Sequence, residues 1–191
     1  MTRIIAGAAG GLRLDVPASG TRPTSDRVRE SLFAALESQD LLAGARVLDL
    51  YAGSGALGLE ALSRGAVHVD LVEHNPKAAA VVRRNAEVIA RAAGATARAH
   101  RSTVNAFLRQ GGGEYDLVFL DPPYDIADAD LAEALALLRP LLSADALVVV
   151  ERAKRSAEPD WDLADLEQVR ERRHGDTALW WAQPRPASQS A

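Results

Sequence analysis

The sequence predicts an α/β fold with a mostly parallel seven-stranded sheet, and three observations lead to this prediction. From residue 46 onward, short apolar runs alternate with amphipathic helical patterns, which is typical of βαβ units. A glycine-rich loop follows the first apolar run, at the point where a strand turns into a helix. Near the end, two strand-like segments flank His174-Gly175-Asp176 and predict an antiparallel hairpin.

Local signals place each element of this domain. Helices are predicted between the strands, and Pro76 begins the second of them at a position where its missing N–H costs no hydrogen bond. Thr103 is a candidate N-cap for a short helix that ends at Arg109. The predicted strands, in chain order, are 46–51, 67–73, 95–101, 115–120, 146–151, 169–173 and 178–182, and the predicted helices are 56–63, 76–92, 103–109 and 131–138.

The first 40 residues form a separate N-terminal extension in this prediction. Two short strands, 3–6 and 12–16, are joined by a glycine-rich turn, and the loop that follows leads to a helix capped by Thr24 or Ser25. The main domain then spans 41–183, and the composition of residues 184–191 predicts a disordered tail.

Composition excludes several classes of protein. Apolar residues make up 48% and charged residues 25% of the 191 residues, as in ordinary globular proteins. Cysteine is absent, which excludes disulfides, thiolate nucleophiles and cysteine-ligated metals. The four histidines are scattered, so we expect no metal site. Apolar runs fall short of the roughly 20 residues that span a bilayer, and the N-terminus lacks a signal-peptide core. We expect a cytoplasmic monomer that does not bind membranes.

Charge is unevenly distributed along a chain whose net charge is −4. Residues 1–30 carry five arginines against three acids, and residues 83–101 carry five arginines against Glu87 alone. Because phosphates sense local charge within a Debye length of about 8–10 Å, these segments could bind nucleic acid despite the acidic total. The same arginines could equally be solvated faces, and charge alone leaves both interpretations open.

The glycine loop predicts a nucleotide-type ligand. Gly53-Ser54-Gly55-Ala56-Leu57-Gly58 matches G-x-G-x-x-G, and Glu73 ends the next strand, where a carboxylate can accept hydrogen bonds from ribose hydroxyls. NAD and S-adenosylmethionine both fit this pattern. Asp49 favours the second ligand, because an acid would repel a pyrophosphate but attract a sulfonium and an ammonium group. His74, beside Glu73, could pack on the adenine.

A second motif follows the strand 115–120. Asp121-Pro122-Pro123-Tyr124 forms a stiff loop, because each proline restricts the residue before it to extended geometry. If Asp121 and the Pro122 carbonyl accept the two N–H groups of an aromatic amine, its nitrogen becomes a better nucleophile. Tyr124 can stack on the base and hold it in line for methyl transfer.

These motifs resemble those of known methyltransferases. Residues 47–55 resemble motif I of the Rossmann-like class I S-adenosylmethionine-dependent methyltransferases, and Asp121–Tyr124 resembles the (D/N)-PP-(Y/F/W) motif of enzymes that methylate amines. The string 21–30, T-R-P-T-S-D-R-V-R-E, resembles the RsmD family of bacterial 16S rRNA guanine-N2 methyltransferases. The resemblance continues through Glu73-His74-Asn75 to Val149-Val150-Glu151, about 150 residues in all.

The resemblance implies a class I methyltransferase fold and transfer of methyl from S-adenosylmethionine to guanine N2 in 16S rRNA of the assembled or nearly assembled 30S subunit. The catalytic candidates are Asp121, Pro122, Pro123 and Tyr124. The cofactor-binding candidates are Asp49, Tyr51, Gly53, Ser54, Gly55, Gly58, Glu73, His74, Thr103 and Asp121, with Thr103 standing where the family has an acid or amide. The RNA-binding candidates are Arg3, Arg13, Arg22, Thr24, Arg27 and Arg29, which could contact phosphates.

Two other functions remain compatible with these motifs. A DNA adenine-N6 methyltransferase would use the same cofactor and amine motifs, although about 45 residues before Arg46 leave little room for a target-recognition domain. A non-catalytic nucleotide-binding module, such as an NAD-linked sensor, would need only the glycine loop.

Overall fold

A seven-stranded sheet forms the centre of the computed structural model, which describes residues 2–17 and 26–186. Within these ranges the strand order is β5-β4-β3-β6-β7-β9-β8. Strands β3 to β7 run parallel to one another, and β9 pairs antiparallel with both β7 and β8. The predicted mostly parallel sheet with a C-terminal antiparallel hairpin is therefore confirmed.

The elements follow the alternation seen in the sequence. The strands of the sheet are β3 (Arg46–Leu50), β4 (His68–Glu73), β5 (Thr96–Arg101), β6 (Tyr115–Leu120), β7 (Leu142–Ala153), β8 (Leu166–His174) and β9 (Thr177–Pro184). A separate antiparallel pair comprises β1 (Thr2–Arg3) and β2 (Arg13–Leu14). The α-helices are α1 (Asp26–Glu37), α2 (Ala56–Ser63), α3 (Pro76–Ala93), α4 (Val104–Gln110) and α5 (Asp128–Leu138).

Element boundaries differ from the predictions mainly where tertiary pairing extends a strand. Strand β7 begins at Leu142 rather than residue 146, because Leu142 pairs with Tyr115 ahead of an irregularity in the ladder. The hairpin strands are likewise longer, since pairing continues from the turn to Leu166 opposite Pro184. Conversely, β1 and β2 contain only two residues each. The predicted cap of α1 at residue 24 or 25 lies outside the described residues.

Helix α3 is defined by its sequence at both ends. The Asn75 side chain accepts hydrogen bonds from the backbone N–H groups of Lys77 (2.9 Å) and Ala78 (3.2 Å), and Pro76 occupies the first turn. Gly94 ends the helix in the left-handed conformation, at φ 64°. Thr103 caps α4 as predicted, because its hydroxyl accepts the N–H of Ala106 at 3.3 Å.

Two apolar layers cover the sheet. One face packs against α1, α2 and α3, and there Phe33 of α1 meets Phe119 of β6 with ring centroids 5.8 Å apart. The other face packs against α4 and α5, which bury Leu108 and Leu135. Both faces of β6 are thus buried, which explains why residues 117–120 are continuously apolar rather than alternating.

The N-terminal segment is attached to helix α2 by buried polar groups. The Glu60 carboxylate accepts hydrogen bonds from the backbone N–H groups of Ile5 (2.7 Å) and Ala6 (3.1 Å). It also pairs with Arg64 at 2.7 Å and with Arg29 of α1 at 3.9 Å, and the side chains of Glu60 and Arg29 are fully buried. The Glu60 carboxylate on α2 therefore connects three parts of the chain: α2 itself, helix α1 and the N-terminal segment that contains β1.

The C-terminal boundary of the folded domain lies later than predicted. Pro184 is the last residue of β9 and is buried, and the N–H of Arg185 donates to the Asp165 carbonyl at 3.1 Å. The predicted tail from residue 184 is thus corrected, because these residues complete the hairpin; residues 187–191 lie outside the described part of the chain. No helix among the described residues has the length and apolarity required to span a bilayer.

We expect Glu60→Gln to lower the free energy of unfolding by roughly 3–5 kcal/mol, because a neutral amide would no longer balance the positive charges of Arg29 and Arg64, whose side chains are 0% and 7% exposed. Urea denaturation followed by circular dichroism measures the loss. Glu37→Gln is the matched control: Glu37 also pairs with Arg64, at 3.0 Å, but its side chain is 50% exposed, so we expect a change of about 1 kcal/mol or less. Equal small losses in both variants would contradict the importance of the buried carboxylate.

Candidate active site

A cavity of about 550 Å³ opens at the carboxyl ends of the parallel strands. In open α/β sheets this edge holds the ligand, near the point where the strand order reverses. Here that point lies between β3 and β6, which are adjacent in the sheet although β4 and β5 intervene in sequence. Ten of the predicted site residues line the cavity: Asp49, Tyr51, Gly53, Ser54, Glu73, His74, Asp121, Pro122, Pro123 and Tyr124.

The first half of the cavity is formed by the ends of β3 and β4. The buried Glu73 carboxylate accepts hydrogen bonds from the backbone N–H groups of Gly53 (3.1 Å) and Asn75 (2.7 Å). Glu73 thus fixes the loops that follow both strands. Each carboxylate oxygen can accept a second hydrogen bond, which suits the paired hydroxyls of a ribose. His74 is largely exposed, with Nδ1 3.4 Å from Glu73.

Asp49 lies beneath the glycine loop and is only 2% exposed. Its carboxylate accepts the N–H of Gly58 at 2.8 Å. Burial raises the pKa of Asp49 to about 7, and the negative charges of Asp121 and Glu73 add to this effect, while the hydrogen bond from Gly58 opposes it. A cationic ligand in the cavity would relieve the mutual repulsion of these three carboxyl groups.

Gly55 and Gly58 do not line the cavity but shape the loop around it. Gly55 adopts φ +81°, a conformation that favours glycine, at the start of α2. A Cβ at Gly58 would lie 2.8 Å from Val69 and 2.9 Å from Leu71, so only glycine lets α2 pack this closely on the sheet. Gly55 and Gly58 were predicted to bind the cofactor, and the structure gives them an indirect part: they shape the loop around the cavity without lining it. Thr103 is likewise absent from the lining, and its hydroxyl caps α4 instead.

Tyr51 turns the chain out of β3 in an unusual conformation. Its φ is 65°, in the left-handed region that non-glycine residues rarely adopt. Burial raises the pKa of its hydroxyl to about 12, with a smaller contribution from Asp130, so the phenol stays protonated at neutral pH. Strained backbone of this kind is common at ligand sites, where the surrounding structure holds it.

The second half of the cavity is formed by the loop after β6. Pro122 is buried, whereas the Tyr124 side chain is 45% exposed and lines the opening. The Pro123 carbonyl accepts the N–H of Ile126 at 3.0 Å, which closes the loop into a turn. This geometry leaves an acid and an aromatic ring side by side at the cavity wall, as the sequence predicts.

The predicted RNA-binding arginines fall into three groups. Arg3, Arg13 and Arg27 are exposed, as phosphate contacts require. Arg29 is fully buried and donates hydrogen bonds to the Arg3 carbonyl (2.9 Å) and to Asp26 (2.8 Å). Its predicted contact with RNA is therefore corrected: Arg29 joins α1 to the N-terminal segment. Arg22 and Thr24 lie outside the described residues.

Several residues of the site were missed in the sequence. Asn85 of α3 donates hydrogen bonds to the carbonyls of Ser54 (2.8 Å) and Asp15 (2.9 Å), and accepts the Asp15 N–H at 3.0 Å. It thus connects the glycine loop to the N-terminal segment. A polar residue within the apolar stripe of α3 was the signal for it. The cavity is also lined by residues from β7 and the β8–β9 hairpin to which the sequence analysis gave no role in the site: Glu151, from the Val149-Val150-Glu151 segment of the resemblance, and His174, Asp176 and Thr177.

Comparisons with known proteins agree with this geometry. A family described as "Conserved hypothetical protein 95" matches residues 2–183. The ribosomal RNA small subunit methyltransferase D of Escherichia coli K12 is 39% identical over 168 residues, covering 84% of this chain and 81% of that protein. The protein of the same name from Haemophilus influenzae is 37% identical over 155 residues, covering 80% and 79% of the two chains.

Solved structures show the same fold. A hypothetical protein of Thermus thermophilus superposes with a TM-score of 0.79 at 34% identity, covering 95% of this chain and 98% of that one. The magnesium protoporphyrin IX methyltransferase of Synechocystis, solved with bound S-adenosylmethionine, shares the fold alone, with a TM-score of 0.66 at 17% identity and 87% of each chain covered. This chain is therefore a methyltransferase of the RsmD family, with the class I methyltransferase fold.

Proposed function

We propose that this protein transfers a methyl group from S-adenosylmethionine to the exocyclic N2 amine of a guanine in 16S rRNA, within the assembled or nearly assembled 30S subunit. One observation carries the proposal: a single cavity joins the acid-flanked glycine loop to the Asp121-Pro122-Pro123-Tyr124 loop. The names of the Escherichia coli and Haemophilus influenzae relatives support rRNA as the substrate class.

The donor set of the cavity suits a cation better than a dinucleotide. In dinucleotide sites the backbone N–H groups of the glycine loop face a pyrophosphate. Here the Gly53 N–H is bound by Glu73 and the Gly58 N–H by Asp49, so carboxylates occupy those donors. S-adenosylmethionine fits this arrangement, with Glu73 at its ribose, His74 at its adenine, and Asp49 and Asp121 near its positive charges. When bound, it supplies a methyl group attached to a positively charged sulfur, and the neutral thioether that remains after transfer is a good leaving group.

The loop after β6 would prepare the amine for attack. The lone pair of the amine is delocalised into the purine ring, which makes the nitrogen a weak nucleophile. Hydrogen bonds from the N–H groups of the amine to Asp121 and to the Pro122 carbonyl would raise the electron density on nitrogen. Tyr124 is exposed enough to stack on the base and fix its plane. Asp121 can then accept the proton that the amine loses after transfer.

Exposed arginines of the N-terminal extension would contact the RNA backbone. We propose that residues 1–40 form this RNA-contacting part and that the methyltransferase domain extends from residue 41 through the end of β9 at Pro184. Arg3 and Arg13 are paired across β1 and β2, which places two positive residues on one small sheet. Thr2 and Val16 of the same segment line the cavity, so the extension adjoins the site of chemistry.

Asp121→Ala should reduce methyl transfer by about 10²–10⁴-fold, because the amine loses its main hydrogen-bond acceptor. The affinity for S-adenosylhomocysteine, measured by calorimetry, should stay within about tenfold of wild type. The assay uses labelled S-adenosylmethionine and 30S subunits from a strain that lacks the protein, and mass spectrometry identifies the modified nucleoside.

The matched control is Asp125→Ala, an exposed acid in the same loop that does not line the cavity, and we expect it to keep the wild-type rate. Wild-type activity in Asp121→Ala would refute the catalytic assignment. N6-methyladenosine as the product, or binding of NAD in preference to S-adenosylhomocysteine, would refute the proposed substrate or cofactor.

Cofactor affinity should depend on the protonation of Asp49. Its pKa is about 7 in the free protein, and a cationic ligand favours the ionised carboxylate, so binding lowers that pKa. Below pH 7 binding must therefore release a proton, and the affinity for S-adenosylmethionine should fall by up to about tenfold per pH unit. Above pH 7 Asp49 is already ionised and its contribution becomes constant.

Calorimetry at pH 6 in buffers of different ionisation enthalpy measures the released proton directly. Asp49→Asn cannot ionise and is the control: its affinity should be weaker at pH 8, and the proton release attributed to Asp49 should vanish. The same proton release in Asp49→Asn and wild type would assign the pH dependence to another group.

Arg13→Ala and Arg27→Ala should each weaken 30S binding and reduce the slope of log affinity against log salt by about one, because each lost phosphate contact releases fewer counterions. Fluorescence titrations at several salt concentrations measure the slope. Arg109→Ala is the control, since Arg109 lies on α4 and pairs with Glu133, and its slope should match wild type. Slopes equal to wild type in Arg13→Ala and Arg27→Ala would exclude phosphate contacts by these two arginines.

A further inference from the structure

Glu151, near the end of β7, lies in a part of the cavity that is not formed by the proposed cofactor-binding residues. It lines the cavity and is only 6% exposed. The mechanism described above gives it no role, although it adjoins the residues that would hold the reacting amine.

The register of the sheet places Glu151 beside Asp121. Strands β6 and β7 are adjacent and parallel, and Leu120 is opposite Val150. The residues that come next are Asp121, directly after β6, and Glu151, within β7, so the two are at the same level of the sheet, where neighbouring strands are about 4.8 Å apart. Val149 packs in the apolar layer of α1, α2 and α3, and alternation along β7 places Glu151 on that same face.

The order of strands sets the order of chemical groups along the cavity. From β4 through β3, β6 and β7 to β9, the cavity presents Glu73, Asp49, Asp121, Glu151 and finally the β8–β9 turn. The cofactor residues occupy the first two strands and the amine-binding loop follows β6. Glu151 is therefore on the side of Asp121 that faces away from the cofactor, where the rest of the base must lie.

The β8–β9 turn closes this side of the cavity. Ala153 of β7 pairs with Thr177, and the Lys154 N–H donates to the Asp176 carbonyl at 2.7 Å. The turn consequently extends beyond the end of β6, and His174, Asp176 and Thr177 join the lining. A base held by Asp121 and Tyr124 would thus have Glu151 beside its reacting amine and this turn beyond Glu151.

Guanine and adenine differ in the atom beside the amine. In guanine the N2 amine is next to N1–H, a donor, whereas in adenine the N6 amine is next to N1, an acceptor. A carboxylate next to the amine-binding group can accept a hydrogen bond from N1–H but repels the N1 lone pair. Enzymes that act on unstacked bases read this edge by hydrogen bonding.

We propose that Glu151 accepts a hydrogen bond from N1–H of the guanine whose N2 amine is held by Asp121 and Pro122, and that it thereby selects guanine over bases with an unprotonated N1. This inference rests on the proposed function and adds the residue that determines base specificity. It gives β7 a direct part in recognition, alongside β3 and β4 for the cofactor and β6 for the amine.

The experiment compares two target bases and two side chains. Unmethylated 30S subunits are reconstituted with 16S rRNA that carries either guanine or 2,6-diaminopurine at the methylated position. The analogue keeps the N2 amine but has no hydrogen on N1. The wild-type enzyme should prefer guanine by about 10²-fold or more in kcat/KM. Glu151→Gln should lose most of this preference, because its amide can donate to the unprotonated N1 of the analogue.

Controls separate recognition from folding and from cofactor binding. Glu151→Gln should bind S-adenosylhomocysteine with wild-type affinity, and Glu167→Gln, an exposed acid of β8 outside the cavity, should keep the wild-type rate and preference. A loss of activity caused by structural damage would lower the rates for guanine and the analogue alike and leave their ratio unchanged.

An unchanged ratio in a folded Glu151→Gln variant would overturn the inference. If that variant does not fold, the wild-type enzyme and Glu151→Ala provide the test. The inference is overturned if the wild-type enzyme methylates guanine and 2,6-diaminopurine at equal rates, and it is supported if a strong wild-type preference for guanine is lost in Glu151→Ala. Failure of the proposed function is distinguishable from all of these results, because the wild-type enzyme would then form no N2-methylated nucleoside from either substrate, and mass spectrometry separates N2 methylation from methylation of the 6-amine of the analogue.

Discussion

Parallel pairing of four neighbouring strands brings four carboxyl groups to one edge of the sheet. The register places Asp49 opposite Leu71 and Phe119, and Phe119 opposite Val149, so equivalent positions of β3, β4, β6 and β7 align across the sheet. Residues an even number of positions apart on a strand share a face. Asp49, Glu73 and Glu151 therefore project to the same side, and Asp121 follows β6 directly. The proposed cofactor, amine and base contacts all depend on this alignment.

Gathering acids at one place has an electrostatic cost, and the protein offsets it with backbone donors. Asp49 and Glu73 accept N–H groups from the glycine loop, from the start of α2 and from the start of α3. These bonds compensate for burial only in part, since the pKa of Asp49 remains raised to about 7. The repulsion that persists in the free protein is what a positively charged ligand can relieve, so the same feature that limits stability favours binding of a cation.

The N-terminal segment is fixed to this frame by side chains that are distant in sequence. Glu60 binds the backbone of residues 5–6, Ser63 accepts the Ala9 N–H at 3.0 Å, and Asn85 holds Asp15 while it also holds the glycine loop. A Cβ at Gly7 would lie 1.9 Å from the Ser63 carbonyl, so the chain passes α2 at a distance that only glycine permits. The Asn85 side chain therefore connects the N-terminal segment directly to the glycine loop.

Local sequence determined the alternation of strands and helices, the caps of α3 and α4, and the two loops that meet at the cavity. These features depend on side-chain periodicity, proline and glycine conformations and short-range hydrogen bonds, all of which are visible within a few residues. Tertiary structure decided the rest. Arg29 is buried because α1 packs against the N-terminal segment and against Glu60, which is 31 residues away in the sequence. Thr103 caps α4 and does not line the cavity. In the sequence, Glu151 is only the last residue of a predicted buried strand, and the register of β6 and β7 is what places it next to Asp121. Pairing between strands distant in sequence fixes such neighbours, and no local pattern encodes it.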